Sequence, residues 1–237
     1  MVKPFVKQLR KGKVKKLGQK GEKAPMKREW ESGIFKKPNE GKLWLTETGL
    51  VGDEVADKRA HGGPEKALFA YPEKHYEYWW SELNINIEAG GFGENLVIEN
   101  ADEYSICIGD IYQLGDAVVE VSQPRQPCWK PARRFQVMDF ALRIQQSGKT
   151  GWYYRVKKEG YIGGEMEMSL LERPYPEWTI EKSNEVMHQK KDDLELAESF
   201  LKCEALAENW QRTLRRRLKG VHPDIAKRVY GPNKDQK

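Results

Sequence analysis

The chain has 237 residues, enough for one substantial core plus a small accessory unit, and too few for two full-sized catalytic domains. Its 38% hydrophobic and 11% aromatic residues are the composition of a folded globular protein and exclude a disordered or fibrous one. The 41 Lys and Arg against 36 Asp and Glu leave a net charge of +5, much of it in 3–27 and 212–219; neither run carries the interleaved aromatics on which bases stack, so nucleic acid is not expected as a partner.

No apolar run approaches the roughly 18 residues needed to span a bilayer, and 1–21 is basic without the apolar centre of a signal peptide. A cytoplasmic protein with no membrane partner is expected. Three cysteines, Cys107, Cys128 and Cys203, are too few and too scattered for a disulfide framework or a tetrahedral zinc cage.

Along the chain, Lys66-Ala-Leu-Phe-Ala-Tyr71 predicts a strand, and Pro72 fits the first position of a helix that carries Tyr76, Trp79 and Leu83 on one face. Asp110–Gly115 and Ala117–Ser122 read as a hairpin, β-branched residues flanking a Gly-Asp turn. Many short strands with few helices argue for a β-barrel or β-rich α+β domain over 1–171, with peripheral helices. Two prolines in Glu172-Arg-Pro-Tyr-Pro-Glu-Trp178 mark a boundary. Beyond it, 172–237 is expected to be a linker and a three-helix accessory domain. Its helices lie over 179–188, then along Leu194, Ala197 and Leu201, then along Leu206, Trp210, Leu214 and Leu218. Those stripes carry no ligand-like cluster, so the tail is expected to stand apart from any site.

The most informative stretch is Ser122-Gln-Pro-Arg-Gln-Pro-Cys-Trp-Lys-Pro131. Proline fixes its own φ and restricts the residue before it, so Cys128 ends a stiff turn. Arg125, Lys130, Arg133 and Arg134 lie close to it in sequence, and nearby cations favour the thiolate, which is the nucleophile and the metal ligand. Cys107, inside Ile106-Cys-Ile108, and Cys203, beside a helical stripe, read as packing residues.

A second stretch, Asp57-Lys-Arg-Ala-His-Gly-Gly-Pro-Glu-Lys66, has Gly62 and Gly63, where bare backbone lets a ligand approach. His61 is a candidate general acid or cofactor partner, and Lys66 a candidate phosphate partner. In a third, Gly90-Gly-Phe-Gly-Glu-Asn-Leu96, Glu94 and Asn95 either face a ligand or belong to a glycine-rich loop crossing a barrel end; spacing alone does not choose.

Taken together, Gly52-Asp53, His-Gly-Gly-Pro-Glu-Lys at 61–66, Gly-Glu-Asn-Leu at 93–96, Ile-Gly-Asp at 108–110 and Pro-Arg-Gln-Pro-Cys at 124–128 resemble the MOSC domain. Gly151-Trp-Tyr-Tyr-Arg155 and the helical tail resemble its YiiM-like subgroup, so the similarity covers nearly the whole chain. The resemblance implies a β-barrel core, a molybdenum cofactor whose metal is bound by a pterin dithiolene and one protein cysteine, and reduction of N-hydroxylated bases or amines such as 6-N-hydroxylaminopurine. By that resemblance Cys128 is the metal ligand and a catalytic residue. His61 or Asp57 is expected to deliver a proton, Arg125, Lys66 and the Gly62-Gly63 backbone to hold the pterin phosphate, and Asn95 to bond the pterin. The chain has no dinucleotide fingerprint, flavin signature or iron–sulfur cysteine set, so a separate flavin or iron–sulfur reductase is expected as electron donor. A persulfide-carrying role for Cys128 in cofactor sulfuration, and a purely cofactor-binding role, both remain open on sequence, as does a homodimer.

Overall fold

A computed structural model describes residues 3–234. Its strands are β1 (Phe5–Lys11), β2 (Lys15–Leu17), β3 (Trp30–Ser32), β4 (Lys37–Pro38), β5 (Leu43–Thr46), β6 (Gly49–Leu50), β7 (Leu68–Pro72), β8 (Leu96–Glu99), β9 (Ile111–Leu114), β10 (Ala117–Pro124), β11 (Trp152–Lys158), β12 (Gly160–Ile162), β13 (Met166–Glu167) and β14 (Ser169–Glu172). The helices are α1 (Lys58–His61), α2 (Lys74–Leu83), α3 (Trp129–Phe135), α4 (Phe140–Ser147), α5 (Ile180–Asn184), α6 (Leu194–Leu201), α7 (Glu208–Leu218) and α8 (Ala226–Val229).

The main sheet runs β13-β1-β8-β7-β11-β10-β9-β14. Its two ends are one stretch of chain: Met166 and Glu167 pair with β1, whereas Ser169 and Leu170 pair with β9. Met168 lies between them, fully buried. A sheet whose edges are consecutive residues has to curl, so the mixed α+β architecture is built on a rolled, barrel-like sheet, as the sequence leads one to expect. The β9–β10 hairpin forms in the expected place, with Ala117 opposite Leu114. β7 forms too, but Pro72 is its last residue, opposite Ile98, and the helix starts at Lys74 with Glu73 at its N-cap. The basic N-terminal stretch gives β1, between β13 and β8. A register shift between Val6 and Gln8 lets Val6 and Leu9, three residues apart, both face the core, in a strand the charge-dominated reading passed over.

The tail forms the three expected helical regions, the first continuing from α5 into a π-helical turn at Glu185–Gln189, and adds α8. It does not stand apart. Trp178, Ile180, Val186, Phe200, Cys203, Trp210 and Leu214 share one continuous apolar cluster with Val6, Leu68, Val121 and Trp152 of the rolled sheet, and with Leu45 and Ile108 outside it. Backbone bonds cross the boundary as well, from Ile108 N to Trp178 O (2.8 Å), from Ile180 N to Ile106 O (2.8 Å) and from Ala207 N to Ser122 O (2.9 Å). The prolines at the boundary shape a tight connection, and the helical stripes pack on the sheet. Among the described residues no helix is long and apolar enough to cross a membrane.

Truncation after Glu177 is therefore expected to unfold the chain. It strips away Trp178, Ile180, Val186, Phe200, Trp210 and Leu214, each of which stabilises by roughly 1.5–3 kcal/mol on burial, against a typical net stability of about 5–15 kcal/mol. Thermal melting of the truncated protein checks this; a cooperative transition near that of the full chain would show that the sheet folds alone.

Candidate active site

The chain leaves β10 at Pro124 and reaches α3 through Arg125, Gln126, Pro127 and Cys128. Strand pairing holds this exit at one end, since Pro124 lies opposite Trp152 and Arg125 N donates to Gly151 O at 3.0 Å. At the other end Cys128 is the N-cap residue of α3, and Arg228 of α8 donates through Nη1 to Pro127 O and through Nη2 to Gln145 Oε1 (2.5 Å). The thiol is thus fixed between a sheet and two helices.

Cys128 is 8% exposed. Burial pushes its pKa up, but the His61 imidazole, which hydrogen-bonds the sulfur, together with the Arg125 charge and the Lys130 backbone N–H, outweighs burial and brings it down to about 6. Cys107 and Cys203 are different: burial pushes them up to about 11 and about 12, as expected of packing thiols. The cations that matter are fewer than the sequence suggests. Arg133 is spent on Asn233 Oδ1 (2.9 Å) and the carbonyls of Pro25, Arg28 and Pro232, and stacks 4.9 Å from the Trp129 ring centre. Arg134 donates to Ile34 O and Gly90 O. Both therefore brace loops, and Arg125 is the arginine on their side of the chain that reaches the sulfur's field.

Two cavities meet at Cys128. The first, about 710 Å³, is lined by Lys36, Thr48, Asp53, Gly62, Gly63, Phe69, Asn95 and Arg125. The second, about 880 Å³, is lined by Asp57, Ala60, Gln123, Trp129, Asn209, Lys227 and Arg228. His61, Lys66, Cys128, Lys130 and Tyr153 belong to both.

The residues singled out from sequence divide between these walls. His61 sits at the end of α1, whose N-terminus is capped by Asp57, accepting from Arg59 N and Ala60 N at 3.1 Å each. These backbone donors hold the Asp57 carboxyl below its usual range, so it is a carboxylate that fixes α1 rather than a proton source. Lys66 Nζ donates to Ala60 O at 2.6 Å, and burial lowers its pKa. Gly63 has φ +89, and a Cβ there would project into open space. Arg125 lies 5.2 Å from the Phe69 ring centre, and its Nη1 is buried with no hydrogen-bond partner.

Asn95 lines the first cavity but has no free polar atom to offer. Its Oδ1 accepts from Phe69 N (3.1 Å), and its Nδ2 donates to Arg10 O (3.3 Å) and Asp53 Oδ2 (2.9 Å). Glu94 is likewise inward, accepting from Tyr76 Oη (2.5 Å), Phe92 N (3.0 Å) and Gly90 N. This stretch is the loop-crossing alternative. What Asn95 does is orient Asp53, which accepts from Gly12 N (2.8 Å) and forms a buried ion pair with Lys36 (Nζ to Oδ1, 2.5 Å) at the cavity wall. Sequence reading passed over Lys36. Its signal was faint: one lysine after an apolar Ile34-Phe35 pair, facing an aspartate on a different strand connection.

Residues 57–168 match the MOSC domain, and residues 178–220 match the YiiM-like 3-alpha helix domain. Protein YiiM of Escherichia coli (strain K12) is 38% identical over 204 residues, spanning 84% of this chain and 91% of that protein. A protein named reductase from Gibberella moniliformis is 39% identical over 193 residues, which are 80% of this chain but 33% of that longer protein. The crystal structure of YiiM from Geobacillus stearothermophilus has a TM-score of 0.76 at 31% identity, with 91% of this chain and 99% of that one covered. Rolled sheet, packed helical tail and the ordered motifs around Cys128 thus coincide with the same group of proteins, and the chain belongs to the MOSC family in its YiiM-like branch.

Proposed function

We propose that this protein is a molybdenum-cofactor-dependent reductase of N-hydroxylated bases and amines, 6-N-hydroxylaminopurine being an example. The observation that carries the reading is the Cys128 thiolate, held near neutral pH in the wall of a cavity that is also lined by Arg125, whose buried Nη1 has no hydrogen-bond partner among the described residues. Its kinship with a protein named reductase supports the redox assignment.

The residues fit the cofactor. A cavity of about 710 Å³ suits a molecule of that size. A soft thiolate suits a high-valent, sulfur-ligated metal, the orphaned Arg125 Nη1 and the Lys66 ammonium suit a pterin phosphate, and the side-chain-free approach at Gly63 suits a planar ring. Cys128 would be the metal's protein ligand. When bound, the cofactor supplies the electrons that cleave the N–O bond.

The net reaction takes R–NH–OH, two electrons and two protons to R–NH2 and water, the electrons coming from a separate flavin or iron–sulfur reductase. His61 is the residue that can hold a proton beside the sulfur, and it donates it to the departing hydroxyl oxygen. Asp57 keeps α1, and with it the imidazole, in place. Lys36 and Asp53 hold the first cavity's wall rigid without adding net charge. The basic N-terminal stretch, in which Lys20, Lys23 and Lys27 are exposed, offers an acidic reductase a docking face.

In the cofactor-free protein, alkylation of Cys128 is expected to rise with pH to a plateau with a midpoint near 6, because the lowered pKa leaves mostly thiolate above it, whereas Cys107 and Cys203 stay unreactive below about pH 10. Mass spectrometry after timed iodoacetamide labelling checks this; a midpoint near 9 would remove the activated thiolate. Cys128→Ser is expected to lose bound molybdenum and N-hydroxylaminopurine reduction by at least about a hundredfold with a chemical electron donor. Cys107→Ala and Cys203→Ala should cost on the order of 1 kcal/mol of stability and leave activity per folded molecule unchanged. Metal analysis and turnover of variants purified from a cofactor-competent host decide, and an active Cys128→Ser protein would sink the mechanism. Raising ionic strength should slow turnover with the protein reductase several-fold more than turnover with a neutral dye, since salt screens docking charges; equal slowing in parallel assays would exclude the basic docking face.

A further inference from the structure

Resting on the reductase reading, we infer that the second cavity is the substrate subsite, that it takes a planar nitrogen heterocycle presenting an N–H edge, and that Gln123 Oε1 is the acceptor that reads this edge. The first cavity holds the features that suit the cofactor. The second adjoins it at the same sulfur, through the shared residues His61, Cys128 and Tyr153. A substrate held there approaches the sulfur and the imidazole without displacing anything from the first.

Gln123 marks the recognition chemistry. It is 1% exposed, its Nε2 donates to Pro124 O (3.3 Å), and its Oε1 has no hydrogen-bond partner among the described residues. A buried carbonyl oxygen left unpaired is costly, and in a cavity wall it is an acceptor that a ligand N–H can complete. The backbone explains how it is aimed. Val121 pairs with Tyr154 and Gln123 with Tyr153, so Ser122 is one extra residue on β10. Such a bulge turns the following side chain off the strand's alternation, here into the cavity wall beside Tyr153. Trp129, on the same wall, supplies an aromatic surface, and Asn209 and Lys227 of the tail bring donors for ring nitrogens. An acceptor, an aromatic surface and donors together are what an aminopurine edge requires. An aliphatic hydroxylamine would use none but the first.

The probe is adenine, the amine product of such a reduction, titrated calorimetrically into the purified full-length, cofactor-free protein. Ala60 lines only the second of these cavities and Thr48 only the first, and both are exposed, so a Trp at either position fills space without disturbing the core. Adenine is expected to bind the native protein, to lose at least about tenfold in affinity in Ala60→Trp and in Gln123→Met, and to bind Thr48→Trp as before. Undiminished binding to Ala60→Trp, loss of binding in Thr48→Trp, or no binding to the native protein overturns the assignment. Should Gln123→Met fail to fold, the two filling variants still decide the location. Because no metal or turnover enters this titration, its failure is distinct from failure of the reductase reading, which the molybdenum content and activity of Cys128→Ser test.

Discussion

A sulfur withdrawn from water keeps its negative charge only if the protein replaces what the water supplied, and the architecture around Cys128 follows from that requirement. Burial alone drives the thiol toward the neutral form, as it does at Cys107 and Cys203. At Cys128 a hydrogen bond and charge from His61, the Arg125 cation and a backbone N–H reverse the balance. Each donor comes from a different part of the chain. His61 depends on the Asp57 cap of α1, Arg125 on the β10–β11 edge, and the backbone N–H on α3 starting at Trp129. Loosening any of these supports loosens the charge balance at the sulfur.

The same dependence explains why the helical tail cannot be separated from the sheet. Its apolar stripes complete the core inside the rolled sheet, and its last helix returns Arg228 to the carbonyl of Pro127, next to the thiol. Burial pushes Arg228 down to about 10, still far above neutrality, so it remains a cation at the back of the cysteine loop. A segment that reads as an accessory module from its own sequence thereby seals one side of the site and supplies part of the second cavity's wall.

What was legible in the sequence was local. The proline-flanked cysteine, the Gly-Gly turn after His61 and the β9–β10 hairpin each announce themselves within about ten residues, because turn chemistry and strand alternation are short-range signals. The rest was set by pairings that sequence periodicity does not encode. β1 lies in a lysine-rich stretch where a register shift breaks the alternation, and it matters because it pairs with β8 and β13. Lys36 acquires its role only when Asn95 turns Asp53 toward it. Arg133 and Arg134 stand near Cys128 in sequence, yet the turn of α3 carries them to the Pro25 and Gly90 loops. Asn95 sits in a stretch that matches the family pattern, but both its donors and one acceptor site go to Arg10, Asp53 and Phe69.

The placement of Cys128 between two cavities also divides the electrostatic work. On one side Arg125, with its orphaned Nη1, and the Lys66 ammonium favour a bound anion. Any anion bound there adds negative charge beside the thiolate and would, acting alone, raise its pKa. The Lys36–Asp53 pair, internally neutral and hydrogen-bonded at both partners, fixes that wall without adding to this repulsion. On the other side the tail supplies an exposed Lys227 and a largely buried Arg228. His61 is shared by both sides and can respond to both. Its contact with the sulfur, set by the Asp57 cap of α1, thus ties the two cavity walls together at the thiolate.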